Sequence, residues 1–350
     1  QDFNVFNIKP ADVSVELNNN KIPAEMISFV SGADTFSWQD VKNIETVTLA
    51  EQDNFRGVLR KLNMAGKDCL VLIHPSHTDM FKRYQNYFAR GANKLNRDNN
   101  ASMVLVVTKE TNVSNINIQA STEVSKKRLT NVVGVLPGKT KPDEIVLFSA
   151  HYDHLGVKSV EGDNIYNGAD DDASGTAAII NIAQYYAKQG NNARTLMFAA
   201  FSAEEIGGFG SKFFSQQLNP ETITAMINIE MIGKPSKFGV GTVWMTGMDR
   251  SSLGKQLNDV LAKSGKEIYK DPYPEQGLFY RSDNATLARL GVPAHSFSST
   301  QLDKDEHYHK VSDDLSSLDF PSLHKVIEAL AIATQPLVNG TVTPSRIDEN

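Results

Sequence analysis

Apolar residues change their spacing along this chain near residue 126. Before that point the runs MISFV, VTLA, CLVLI and MVLVV are β-branched and apolar and are bounded by Gly, Asn, Asp and Lys, which predicts strands. Between the last two, Met80, Phe81, Tyr84, Tyr87 and Phe88 recur at helical spacing before Gly91, so a strand, helix, strand unit is expected. The stretch NVSNINIQASTEVSKKRLT is polar and poor in large side chains and marks the join near Lys126, with a strand crossing it as the alternative reading. Beyond it strands and helices alternate: NVVGVL, EIVLFSAH, a helix through TAAIINIAQYYAKQG, then RTLMFAAF. In that helix Ile179, Ile182, Ala183 and Tyr186 form one apolar stripe, and Gly190 is placed to stop it. A last long helix over about residues 321–338 carries Leu323, Val326, Ile327, Leu330 and Ile332; its His324 lacks any acidic motif and reads as a surface or packing residue. The pattern predicts a small β-rich module over residues 1–125 and an α/β layered domain over residues 126–350.

With 350 residues, 40% hydrophobic and 22% charged, the chain has enough apolar surface for one substantial core and a smaller second module. The formal charge of -6 and the scattered Lys and Arg lack the basic stripe that nucleic acid requires. Apolar runs are far shorter than the ~20 residues needed to cross a bilayer, so no membrane span is expected. The opening QDFNVFNIKP has no signal-peptide pattern, so a leader either never existed or was removed before this numbering begins. The single cysteine, Cys69, lies in an apolar run and reads as a buried core thiol.

Chemistry concentrates in five short motifs of the second domain, placed where predicted strands end, which is where α/β folds bind ligands. HYDHLG offers His151 and, two residues on, Asp153; in a strand these share a face, as a carboxylate orienting a metal-binding imidazole would. GADDDASG puts three aspartates before a helix. Helix capping alone could account for them, but mutually repelling carboxylates are most simply neutralised by a divalent cation. In FSAEEIGGFGS, Glu204 and Glu205 point in different directions, so one can bind metal while the other reaches a bound water, the division of labour of metal-assisted hydrolysis. INIEMIG makes Glu230 the only charge of an apolar strand, which demands a partner, either a cation or a basic side chain. HYHKVSDD holds His307 and His309, one a ligand and the other exposed, with Asp313 four residues on. Nitrogen and oxygen donors without thiolates suit zinc. No GxSxG elbow, CxxC pair or phosphate-binding glycine loop competes.

HYDHLG, GADDDASG, SAEEIGGFGS, INIEMIG and YHKVSDD, in this order, resemble the co-catalytic two-zinc exopeptidases that include aminopeptidase Y and glutamate carboxypeptidase. The resemblance implies a mixed central sheet flanked by helices and two zinc ions per chain. It implies His151 and Glu230 on one ion, Glu205 and His309 on the other, Asp171 bridging, and Glu204 as general base. Asp172 would shape the loop, Asp153 support His151 and Asp313 support the turn around His309. Two departures stand out: Glu230 replaces the aspartate of many members, and Asn284 replaces the histidine of their SDH segment. Phe279, Tyr280 and Arg281 beside that segment are candidate substrate contacts. The resemblance further implies a peptide substrate with a free N-terminus and a secreted or periplasmic location, and makes the first module similar to a shortened protease-associated domain. The alternatives are a carboxypeptidase, a one-zinc glutaminyl cyclase and a receptor-like ectodomain without ligands.

Overall fold

A computed structural model describes residues 1–158 and 161–347. They form two compact units, one of Asn4–Arg128 and the other running from Leu129 onward together with Gln1–Phe3.

In the first unit, Ile27–Ser31, Ser102–Val107, Cys69–Ile73 and Glu45–Leu49 pair in that order, the first pair antiparallel and the other two parallel. Residues two apart share a face of a strand. Leu70 and Leu72 therefore pack with Val104, Val106, Val15 and Ile118, while Val71 and Ile73 pack with Phe55, Leu59 and Phe81 of two helices. One of these, Thr78–Phe88, is the helix predicted between two strands. The other, Phe55–Ala65, was not anticipated: only Phe55 and Leu59 are buried among its charged residues. It is set locally, by Asn54 accepting from the Gly57 N–H at 3.1 Å and by Gly66 at φ +59.

Two strands are longer than the short ones expected. Asp2–Leu17 runs 16 residues, and the polar stretch at the join is itself the strand Ile116–Thr130. Only its first half alternates: Ile116, Ile118 and Ala120 are buried, whereas no residue from Ser121 on is buried, which is why it looked like a linker.

The second unit is built on a seven-stranded sheet in the order Val132–Leu136, Arg194–Phe201, Lys141–His151, Ile223–Ile229, Ala294–Ser298, Val243–Met245, Ile268–Lys270. The sheet is mixed: the second to fifth strands run parallel to one another, and the first is antiparallel to its neighbour. Val146, Phe148 and Ala150 face the helices Gly175–Gln189 and Phe320–Ala333, and Leu147 faces the other side with Phe201, Phe214 and Leu287. The predicted last helix is two, Phe320–Ala333 and Gln335–Val338, because the second restarts at Gln335 with Pro336 in its first turn. His324 is exposed, as its lack of acidic neighbours suggested. Among the described residues no helix is long and apolar enough to cross a membrane.

Four parallel strands thus end on one edge, at His151, Phe201, Ile229 and Ser298. Carboxyl ends of parallel strands are where an α/β sheet opens a crevice, and the chemistry-bearing motifs follow these ends.

Candidate metal centre

His151, the last residue of its strand, is buried. Its Nδ1 lies 3.0 Å from the Asp153 carbonyl oxygen, which leaves Nε2 free, 3.2 Å from Asp171 Oδ1. The expected contact with the Asp153 carboxylate is looser, at 3.9 Å. That carboxylate instead accepts from the Glu204 and Glu205 N–H groups at 3.0 and 3.4 Å. Asp153 therefore joins two motifs, its carbonyl holding the imidazole and its side chain fixing the Glu204–Glu205 turn.

The aspartate run is pinned from all sides. Asp170 accepts from the Gly233 N–H and the Thr300 hydroxyl, both at 2.7 Å. Asp172 accepts from the N–H groups of His151, Gly175 and Met231 at 3.2, 3.1 and 3.0 Å. Asp313, expected beside His309, accepts from the backbone of Asp170 and Asp171 at 3.0 and 3.1 Å. What remains is Asp171, buried, with one oxygen toward His151 and the other 3.3 Å from His309 Nε2. His309 Nε2 is also 3.2 Å from Glu205 Oε2.

Three of the five non-glycine residues with positive φ among the described residues sit at these turns: Ala203 (φ +65) before Glu204, Met231 (φ +51) after Glu230, and His309 itself (φ +58). Such conformations cost energy and persist where surrounding contacts over-determine them.

Burial first, and then the charge of Glu230, push Glu204 up to about 10; burial likewise pushes Glu230 up to about 7. Burial would also raise Asp171, but His151 and His309 hold it well below the ordinary carboxylate range. The same contact, with Asp172, lifts His151 well above its usual value against the effect of burial, and Asp171 raises His309. Without a cation, burial and mutual charge favour the protonated forms of Glu204 and Glu230.

The donors fit a metal ion. His151 Nε2 and Glu205 Oε1 are buried without a hydrogen-bond partner, although oxygens and nitrogens lie close by. Proximity without hydrogen-bond alignment is the arrangement of ligands around a common centre. The separations of 3.2 and 3.3 Å about His309 Nε2 match the ~3.3 Å edge of a tetrahedron with bonds of ~2.0 Å to zinc. Cys69, buried in the first unit, offers no competing thiolate.

The acidic cluster floors a cavity of about 180 Å³ whose lining includes Asp171, Glu204, Glu205, Glu230 and His309, with Met231, Trp244, Leu278, Leu302 and Tyr308. Of the three candidate substrate contacts only Arg281 lines it. Phe279 is turned into the core, 5.5 Å from the His295 ring, and Tyr280 packs outside under Arg250 and Arg289, because the helical turn Leu278–Tyr280 directs Leu278 inward instead. Asn284 is fully buried and donates to the carbonyls of Phe279 and Ala294 at 2.9 and 3.2 Å, anchoring this wall. His307 is partly buried rather than exposed and contacts the Ser312 hydroxyl at 3.1 Å. Sequence reasoning missed His154, which lies beside Glu205; the second histidine of HYDHLG was the available signal.

Residues 131–334 match the family described as "Peptidase family M28". A probable zinc metalloprotease of Pyrenophora teres f. teres is 27% identical over 63% of this chain and 51% of its own length. Leucine aminopeptidase 1 of Neurospora crassa is 29% identical over 54% of this chain and 49% of its own length. The chain thus spans about half the length of these curated relatives. An aminopeptidase from Aneurinibacillus sp. strain AM-1 shares the fold, with a TM-score of 0.54 at 18% identity over 96% of this chain and 83% of that one.

Proposed function

The chain belongs to Peptidase family M28, and from that premise we propose that it is a two-zinc aminopeptidase that removes apolar residues from peptide N-termini. The observation that carries this reading is the convergence of His151, Asp171, Glu205 and His309 within 3.2–3.3 Å contacts beside Glu204. His151, Glu230 and Asp171 would hold one ion, and Glu205, His309 and Asp171 the other. Zinc bound there would supply Lewis acidity for the scissile carbonyl and lower the pKa of a water. Glu204, which lines the same cavity, takes the proton of the attacking water and returns it to the leaving amine.

The acidic floor favours a substrate ammonium over a substrate carboxylate. Arg281 is the only cationic residue lining the cavity among the described residues, so it gives a carboxypeptidase little to bind. The same cavity is walled by Trp244, Met231, Leu278 and Leu302, apolar surface that suits an apolar substrate side chain such as leucine or methionine. The secreted or periplasmic location rests on the family resemblance alone and is tested by fractionation of the native cells.

The test uses leucine p-nitroanilide with a free or an acetylated amine. The free amine is expected to be cleaved and the acetylated one spared. Glu204→Gln is expected to lower kcat by ~10²- to 10⁴-fold while zinc content stays unchanged. Near-native turnover in that variant would remove Glu204 from the role, and cleavage of the acetylated amide would remove the aminopeptidase reading.

A further inference from the structure

His154 stands three residues beyond His151 and has no place in the ligand set derived above. Its side chain is only 7% exposed, yet neither ring nitrogen has a hydrogen-bond partner. A buried imidazole left in that state is costly. Nδ1 points into the metal centre: it is 2.6 Å from Glu205 Oε1, itself without a hydrogen-bond partner, and 4.0 Å from Asp171 Oδ2. Donor atoms of His154, Asp171 and Glu205 all lie within 4.8 Å of one another, close enough to share one ion. The ring stands edge-on to that of His309, with centroids 5.6 Å apart, so the two imidazoles approach Glu205 without stacking on each other. The backbone makes room for it: a Cβ on Gly168 would come within 2.7 Å of His154 Cγ, and Gly168 holds φ +64. The glycine that opens GADDDASG therefore accommodates this ring as well as the turn.

We propose that His154 is an additional protein ligand of the ion held by Asp171, Glu205 and His309, giving that ion two imidazoles where its neighbour has one. This rests on the zinc reading above. An imidazole that ligates through Nδ1 needs no proton on that atom, so an ion would take up a nitrogen and a Glu205 oxygen that lie 2.6 Å apart without hydrogen-bond alignment. The two sites then differ in donor count. The Glu205 site has four protein ligands against three for the His151 site, and fills first.

The experiment is zinc titration of the metal-free chain against a chromophoric chelator, with zinc X-ray absorption on the fully loaded protein. In the native chain the expected result is two unequal affinities and three imidazoles shared over two ions. In His154→Ala the tighter affinity is expected to fall more than ~100-fold, beyond the ~10- to 100-fold loss that removal of a merely orienting neighbour produces, and the imidazole count to fall to two. An imidazole count of two in the native protein overturns the assignment without recourse to any variant. So does a His154→Ala chain that is folded by circular dichroism and binds both ions with native affinity. A native chain that binds no zinc would instead overturn the metallopeptidase reading itself.

Discussion

Asp153 shows how much chemistry one residue can organise. Its carbonyl sets which nitrogen of His151 is free, and its carboxylate accepts from the two N–H groups of the Glu204–Glu205 turn. An amide offers one acceptor oxygen where the carboxylate offers two. Asp153→Asn should therefore loosen the turn while leaving the carbonyl contact in place. The expected outcome is a ~10- to 100-fold fall in kcat with little change in KM, the size of effect typical of groups that orient ligands. Steady-state kinetics on leucine p-nitroanilide, with zinc content measured alongside, checks it.

Elements matter through close packing of backbone on backbone. The helix Gly175–Gln189 meets the end of the strand Ile223–Ile229 so tightly that a Cβ on Gly175 would lie 2.2 Å from the Ile229 carbonyl oxygen and 2.5 Å from an Asp172 oxygen. Gly175→Ala must push these apart. It should cost ~1–3 kcal/mol by overpacking and weaken zinc binding through Asp172, which holds the backbone of both His151 and Met231. A melting curve and a chelator competition on the same preparation test both halves. A second junction is Arg194, fully buried at the start of its strand, which reaches Glu144 and the carbonyls of Leu337 and Val342. Lysine lacks the planar fork that makes several contacts at once. Arg194→Lys should lose on the order of 3 kcal/mol in urea denaturation, because buried carbonyls lose their donors.

For the whole molecule, metal and proton binding are linked. In the metal-free protein burial raises Glu230 from 4.5 to about 7 and Glu204 from 4.5 to about 10. The folded state then holds more protons than the unfolded one between pH ~4 and ~10, so its stability falls as pH rises through that window. His151 acts in the same direction: its value is raised, so its stabilisation is present below 6.5 and is lost as pH climbs through the raised value. Asp171 has the opposite sign, but its contribution is lost only as pH falls below 3.8, outside the window. Zinc replaces the protons and adds ~4 kcal/mol at a thousandfold excess over Kd. The melting temperature of the metal-free chain is expected to drop from pH 5 to pH 8, and the gap to the zinc-loaded chain to widen over the same range. A gap that is constant with pH would contradict this linkage.

Within this chain, local patterns were enough for the strands CLVLI and RTLMFAAF and the helix ending at Gly190, because period and punctuation are short-range properties. Motif chemistry was similarly local: acids and imidazoles next to strand ends marked the five motifs, the family resemblance picked His151, Asp171, Glu204, Glu205, Glu230 and His309 out of them, and the folded chain brings Asp171 and Glu205 onto His309. The polar half of the strand Ile116–Thr130 was legible only as the alternative to a linker, since pairing with a neighbouring strand, rather than burial of side chains, sustains it. Nor could the sequence tell Phe279 from Leu278 as a cavity wall, or place Asp313 under the aspartates and His154 against Glu205. Those relations depend on which way a turn points its side chains and on partners up to 143 residues away, and only the packed backbone fixes both.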